Sequence, residues 1–192
     1  MNASSDPRDR ILNAAEQVFS EHGYRGGALN DVAVAAGYTR AGLLHHFPSK
    51  EALLLAILER RDDRLRLAEL AETSELLDDL LDNVEKKVAG LTQIRTLIQL
   101  GHVIEAEASS PHHPAHTWAA ERERRVRSNT AEVVLRTQQA GQLPSDIDPE
   151  LVASVLLAVE EGLEAQWLLD DSIDVAAGIA FVRQLFASLR SD

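Results

Sequence analysis

Apolar residues recur along this chain at helical spacing, and the alternating β-branched runs that make strands are missing. The first stripe, Ile11, Ala14, Ala15, Val18 and Phe19, follows the i, i+3, i+4, i+7, i+8 pattern of a helix with one buried face. Asp6 as N-cap, with Pro7 after it, predicts the start of this helix, and Gly23 its end. Past Gly26-Gly27 a shorter stripe of Leu29, Val32, Ala33 and Ala36 stops at Gly37, and a third helix is expected from a Thr39 N-cap to His46. Pro48-Ser49-Lys50-Glu51 then resets the chain, with Ser49 capping a long helix that carries Leu53, Leu54, Ile57, Leu58, Leu65 and Leu67.

Breaks near Thr73-Ser74, Gly90, 109–114, 141–149 and 170–172 divide the rest into further helices. The expected fold is all-α, with about nine helices. Two of them, 149–169 and 173–189, carry long seams: Val152, Val155, Leu156, Val159 and Leu163 on one, Ile179, Val182, Phe186 and Leu189 on the other. Such a pair suits either the interior or a four-helix interface between two copies.

A length of 192 residues, 45% hydrophobic, is enough for a substantial core. The absence of cysteine excludes disulfides, thiolate metal sites and cysteine nucleophiles, and fits a cytoplasmic location. Residues 1–10 are polar with no apolar stretch suited to a signal peptide, and no apolar run approaches the ~20 residues of a membrane span. The net charge of −12 argues against nucleic acid until it is mapped. Residues 1–50 are neutral, with Arg8, Arg10, Arg25, Arg40 and Lys50 balancing Asp6, Asp9, Glu16, Glu21 and Asp31, so all the excess lies in 51–192. A neutral head on an acidic body permits docking to a polyanion by one end, through few phosphate contacts.

Two short helices joined at Ala36-Gly37-Tyr38 fit a helix-turn-helix, whose second helix enters the major groove of DNA. Residues 10–58 resemble the DNA-binding domain of TetR-family repressors. The resemblance rests on Arg10-Ile11-Leu12, Ala14-Ala15, Val18-Phe19, Gly23-Tyr24, Leu29-Asn30-Asp31-Val32-Ala33, Ala36-Gly37, Thr39, Leu43, His46-Phe47, Ser49-Lys50-Glu51 and Leu53-Leu54. It implies an N-terminal three-helix DNA-binding head over 1–50 and a ligand-binding and dimerisation body over 51–192. Carried over residue by residue, Arg40, Ala41 and Gly42 would face base edges, while Thr39, His45 and Lys50 would reach sugars and phosphates. Arg40 has the chemistry for a bidentate bond to guanine. Two departures remove family hydroxyls: Gly27-Ala28 stands where threonine or serine is usual, and Leu44 where tyrosine is usual.

The resemblance further implies a homodimer, paired through the last two helices, that represses transcription from palindromic operator DNA and is released by a small molecule. Beyond residue 50 the aromatic residues are Trp118, Trp167, Phe181 and Phe186 alone, so an aliphatic or mixed apolar effector is expected. His102 and Glu105, three apart on one helix, together with Trp118 and Trp167, are the candidate ligand-binding residues. His112, His113 and His116 near Glu107 have metal-ligand chemistry, but they flank two prolines and adjacent histidines point apart, so no metal is expected. The run Glu121 to Arg127 alternates in sign and reads as a solvated face. No glycine-rich phosphate loop, serine elbow or spaced catalytic set is present, which implies neither an enzyme nor a cofactor. The rival reading is a helical interaction module that kept this fold without specific DNA binding.

Overall fold

The computed structural model describes residues 6–65, 71 and 73–189, so Leu67 lies outside the described residues. Among the described residues the secondary structure is helical without strands. The helices are α1 (Pro7–Gly26), α2 (Leu29–Ala36), α3 (Arg40–His46), α4 (Lys50–Leu65), α5 (Leu77–Val88), α6 (Arg95–Ala108), α7 (His116–Gln139), α8 (Pro149–Leu169) and α9 (Val175–Ser188), with a 3-10 turn at Leu91–Ile94. Among the described residues no helix is long and apolar enough to cross a membrane.

The chain packs as two compact units, one of residues 1–64 with 94–120 and one of 65–93 with 121–192. The unit that holds the head thus runs past residue 50, through nearly all of α4, and takes in α6.

In the first unit the apolar stripes meet in one cluster. Ile11, Ala15 and Phe19 of α1 join Val32 and Ala33 of α2, Leu43 of α3, Leu53, Leu54, Ile57 and Leu58 of α4, and Leu100 and Ile104 of α6. Asp6 caps α1 through Arg8 N at 2.9 Å, and Ser49 accepts from Ala52 N at 3.0 Å, as their positions predict. The end expected at Gly23 is a kink: φ 67°, ψ 179° there, with helical backbone resuming to Gly26. Gly27 is set by packing, because a Cβ on it would lie 2.5 Å from the Phe19 ring. In α4 the buried Arg61 donates from Nε to Leu97 O at 2.8 Å, and its guanidinium lies where any side chain at Gly101 would have to go.

The second unit carries two ionic clusters. Lys87 of α5 meets Glu160 at 2.7 Å and Glu164 at 2.9 Å on α8. Although burial alone would favour the neutral amine, the two carboxylates hold the Lys87 ammonium above its ordinary range. Arg183 of α9 reaches Asp82 at 2.6 Å, Glu85 at 3.1 Å and Asp78 at 3.9 Å along α5. The seams on α8 and α9 divide between two faces. Of the seam residues, Val152, Ile179 and Val182 are buried and Val155 and Leu189 exposed, and Leu151, Phe181 and Leu185, outside the seams, are exposed as well.

Candidate nucleic-acid interface

The turn between α2 and α3 is tight because Gly37 takes the left-handed conformation (φ 75°) and donates to Ala33 O and Val34 O. Tyr38 N then donates to Ala33 O at 2.8 Å, and Thr39 ends the turn by accepting Gly42 N at 3.1 Å. Leu43 and the buried C-cap residue Phe47 fasten one side of α3 to the core. Its other side presents Arg40, Ala41 and His45 to solvent, with Gly42 half-buried between. The Arg40 side chain makes no hydrogen bond or ion pair among the described residues, so its guanidinium fork stays available. The α2 N-cap, Ala28, has extended backbone but no side chain able to cap, the physical outcome of the missing hydroxyl.

Lys50, the first residue of α4, holds its Nζ 4.6 Å from the Tyr24 ring centre and 5.8 Å from that of Phe19. Burial beside these rings pushes its ammonium below the ordinary lysine range, and the Glu107 carboxylate pulls it partly back. Burial also raises the Tyr24 phenol, with Glu51 adding to the effect.

Sequence reading passed over two arginines beside this surface. Arg10 bonds from its guanidinium to the Tyr38 hydroxyl and lies 4.9 Å from that ring's centre. Arg8 sits 4.4 Å over the Phe47 ring. Basic residues at 8 and 10, before the first buried residue of α1, were the available signal.

The candidate effector residues divide between the units: His102, Glu105 and Trp118 lie in the first, Trp167 in the second. Glu105 is 3.8 Å from the Arg61 guanidinium, Trp118 packs on the first unit's core, and Trp167 is buried. An open cleft of about 620 Å³ in the second unit is lined instead by residues including Ser74, Glu75, Asn129 and Arg136. The histidines near Glu107 go separate ways. His112 is exposed, His113 is buried against Tyr24, and His116 Nδ1 meets Ala108 O at 2.8 Å. Among the described residues no group of three or more His, Asp or Glu is gathered to hold a metal.

Residues 11–57 match the family described as bacterial regulatory proteins, tetR family, and residues 103–191 match the C-terminal region of BetI-type transcriptional repressors. The chain is 27% identical over 191 residues to the HTH-type transcriptional regulator UidR of Escherichia coli K12, covering 98% of this chain and 94% of the relative. The structure of Salmonella enterica GusR matches with a TM-score of 0.72 at 25% identity, over 99% of this chain and 98% of that one. A complex of SmeT with triclosan shares the fold, with a TM-score of 0.78 at 23% identity over 95% of this chain and 90% of that one. Both family descriptions and the name of UidR are those of regulators of transcription, not of enzymes.

Proposed function

The chain belongs to the TetR family of bacterial regulatory proteins, and on that premise we propose that it is a ligand-responsive repressor: a homodimer that holds a palindromic operator and lets go when a small, mostly apolar molecule occupies its C-terminal body. The observation that carries this reading is the outer side of α3. A seven-residue helix pinned by Leu43 and Phe47 turns outward an Arg40 that has no partner among the described residues, which is what insertion into a major groove requires. Residues 1–50 contact DNA, with Arg40 reading guanine and Ala41 and Gly42 lying close to base edges. Thr39 keeps its hydroxyl proton for a phosphate, because its oxygen is the acceptor in the cap. His45 and Lys50 complete the backbone contacts.

Residues 51–192 dimerise and take the effector. The exposed apolar residues of α8 and α9 support pairing, since Leu151 is 60% and Phe181 59% exposed in the single chain. A two-fold axis would cover them with the same residues of a second copy. The two heads then bind half-sites about one helical turn apart. His102, Glu105, Trp118 and Trp167 are the proposed effector residues, and SmeT with triclosan is an example of this fold holding a small molecule. An effector that favours the unbound conformation by about 1 to 3 kcal/mol lowers operator affinity 5- to 150-fold.

Selection of the whole protein against a random duplex pool at near-physiological salt tests the reading. Enrichment of a palindrome is expected. A folded dimer that enriches nothing would overturn operator binding and favour an interaction module, to which the uncapped α2 and Leu44 already point.

A further inference from the structure

We propose that Arg8 and Arg10 form a second phosphate-binding site on DNA, alongside α3, in which aromatic rings at the two ends of α3 hold the guanidiniums ready; the proposal rests on the operator reading above. Tyr38 directly precedes the α3 N-cap and Phe47 is its C-cap. Arg10 is fixed to the first by ring contact and hydrogen bond, Arg8 to the second by ring contact alone. Both side chains are exposed, and neither has a carboxylate partner among the described residues. The acidic residues beside them are otherwise engaged: Asp6 caps α1 and Asp9 faces Arg60 at 3.9 Å.

A guanidinium set over a ring uses its face, so Arg8 keeps its N–H edge for a phosphate, and Arg10 keeps the N–H groups other than the one it gives to the Tyr38 hydroxyl. Because the rings already limit the side chains, little further ordering is needed on binding. The pair also answers the two missing hydroxyls. With Ala28 and Leu44 unable to donate to the DNA backbone, α1 supplies two backbone contacts in place of the hydroxyls missing from α2 and α3.

The test is the salt dependence of affinity for the selected operator, measured by fluorescence anisotropy on the full chain from 50 to 200 mM salt. Two arginines per protomer make four phosphate contacts per dimer, so the slope of log K against log salt should fall in magnitude by about 3.6 in Arg8→Ala/Arg10→Ala. Over that range the wild type should lose roughly 150-fold more affinity than the variant. Sequence preference in the selection should stay the same. Tyr38→Phe keeps both charges, so it should keep the slope while weakening binding a few-fold. Arg8→Gln/Arg10→Gln serves if the alanine pair does not fold. A wild type that binds no duplex would remove the operator reading and this site together. A wild type that binds, with variants of unchanged slope, overturns this site alone, and a loss confined to one base position would make an arginine a base reader instead.

Discussion

The Glu107 carboxylate accepts the backbone N–H of Tyr24 at 2.7 Å, across 83 residues of sequence. The same carboxylate lies 3.5 Å from Arg25 N and fills the space beside Gly23, where a Cβ would come within 2.7 Å of it. A side chain at the end of α6 thereby serves the backbone groups freed by the kink in α1. Glu107→Ala should cost about 1 to 3 kcal/mol, the penalty of stranding N–H groups that a charged acceptor had satisfied. Urea denaturation gives the value, and amide exchange should quicken first at Tyr24. Gly23→Ala should also destabilise, through its positive φ and through collision with Glu107. The double variant should lose less than the sum of the two, because the collision is then gone.

His113 gives the first unit a pH dependence. Its ring is buried, its Nδ1 accepts from Ala115 N at 3.2 Å, and its Nε2 points toward Glu107 at 3.6 Å. Burial lowers its pKa and Arg25 adds to the lowering, against an opposing pull from Glu107. The folded chain therefore binds this proton less readily than the unfolded chain. Its contribution to stability is complete above the unfolded value of about 6.5 and is lost as pH falls from there toward the lowered folded value. Thermal melts between pH 5 and 8 should show this decline, and His113→Phe should flatten it. An equal decline in the variant would place the effect elsewhere.

Arg40→Ala should cost about 1 to 3 kcal/mol of operator binding and relax preference at one symmetric pair of positions. Repeating the selection with the variant reads this directly. A uniform loss over all sequences would make Arg40 a phosphate contact.

Ala28→Ser should stabilise the head. The N-cap backbone is already extended (φ −88°, ψ 142°), the residue is exposed, and only a hydroxyl is lacking. A gain of about 0.5 to 2 kcal/mol is expected in denaturation, with tighter operator binding if the hydroxyl also meets a phosphate. The equivalent change at Gly27 should destabilise, because Phe19 occupies the space a Cβ needs.

Phe181→Asp/Leu185→Asp puts charge on the exposed apolar side of α9, where both residues are at least half exposed in the single chain. Sedimentation velocity should report monomer, with helix content retained and operator affinity strongly reduced. A variant that stays dimeric would move the interface away from this face.

Much of the head was legible because local signals agreed. The helical stripe, Asp6 with Pro7, Gly37 and Thr39 each fix one feature with little help from the rest of the chain, and all four behave as their chemistry requires. Gly23 was legible only in part. Glycine signals a break, but a kink that resumes as helix depends on Glu107, which no nearby spacing announces. Arg8 and Arg10 were missed for a related reason: their aromatic partners lie tens of residues away and read on their own as core. The seams on α8 and α9 gave helices correctly but not facing, since each helix carries apolar residues on a buried side and on an exposed side. For the effector, Glu105 illustrates the limit: sequence places it on a helix face, while its meeting with Arg61 depends on how α4 packs against α6.

Arg61 and Gly101 share one volume: the guanidinium fills the space a side chain at 101 would need, and its Nε is tied to Leu97 O. The two positions therefore cannot drift independently through evolution. A descendant that gains even a methyl group at 101 has to shorten or redirect residue 61, and one that loses the arginine opens a void that a larger residue at 101 would refill. Aligned family members should show the pair changing together, small with long or large with short, as a record of this contact that needs no structure to read.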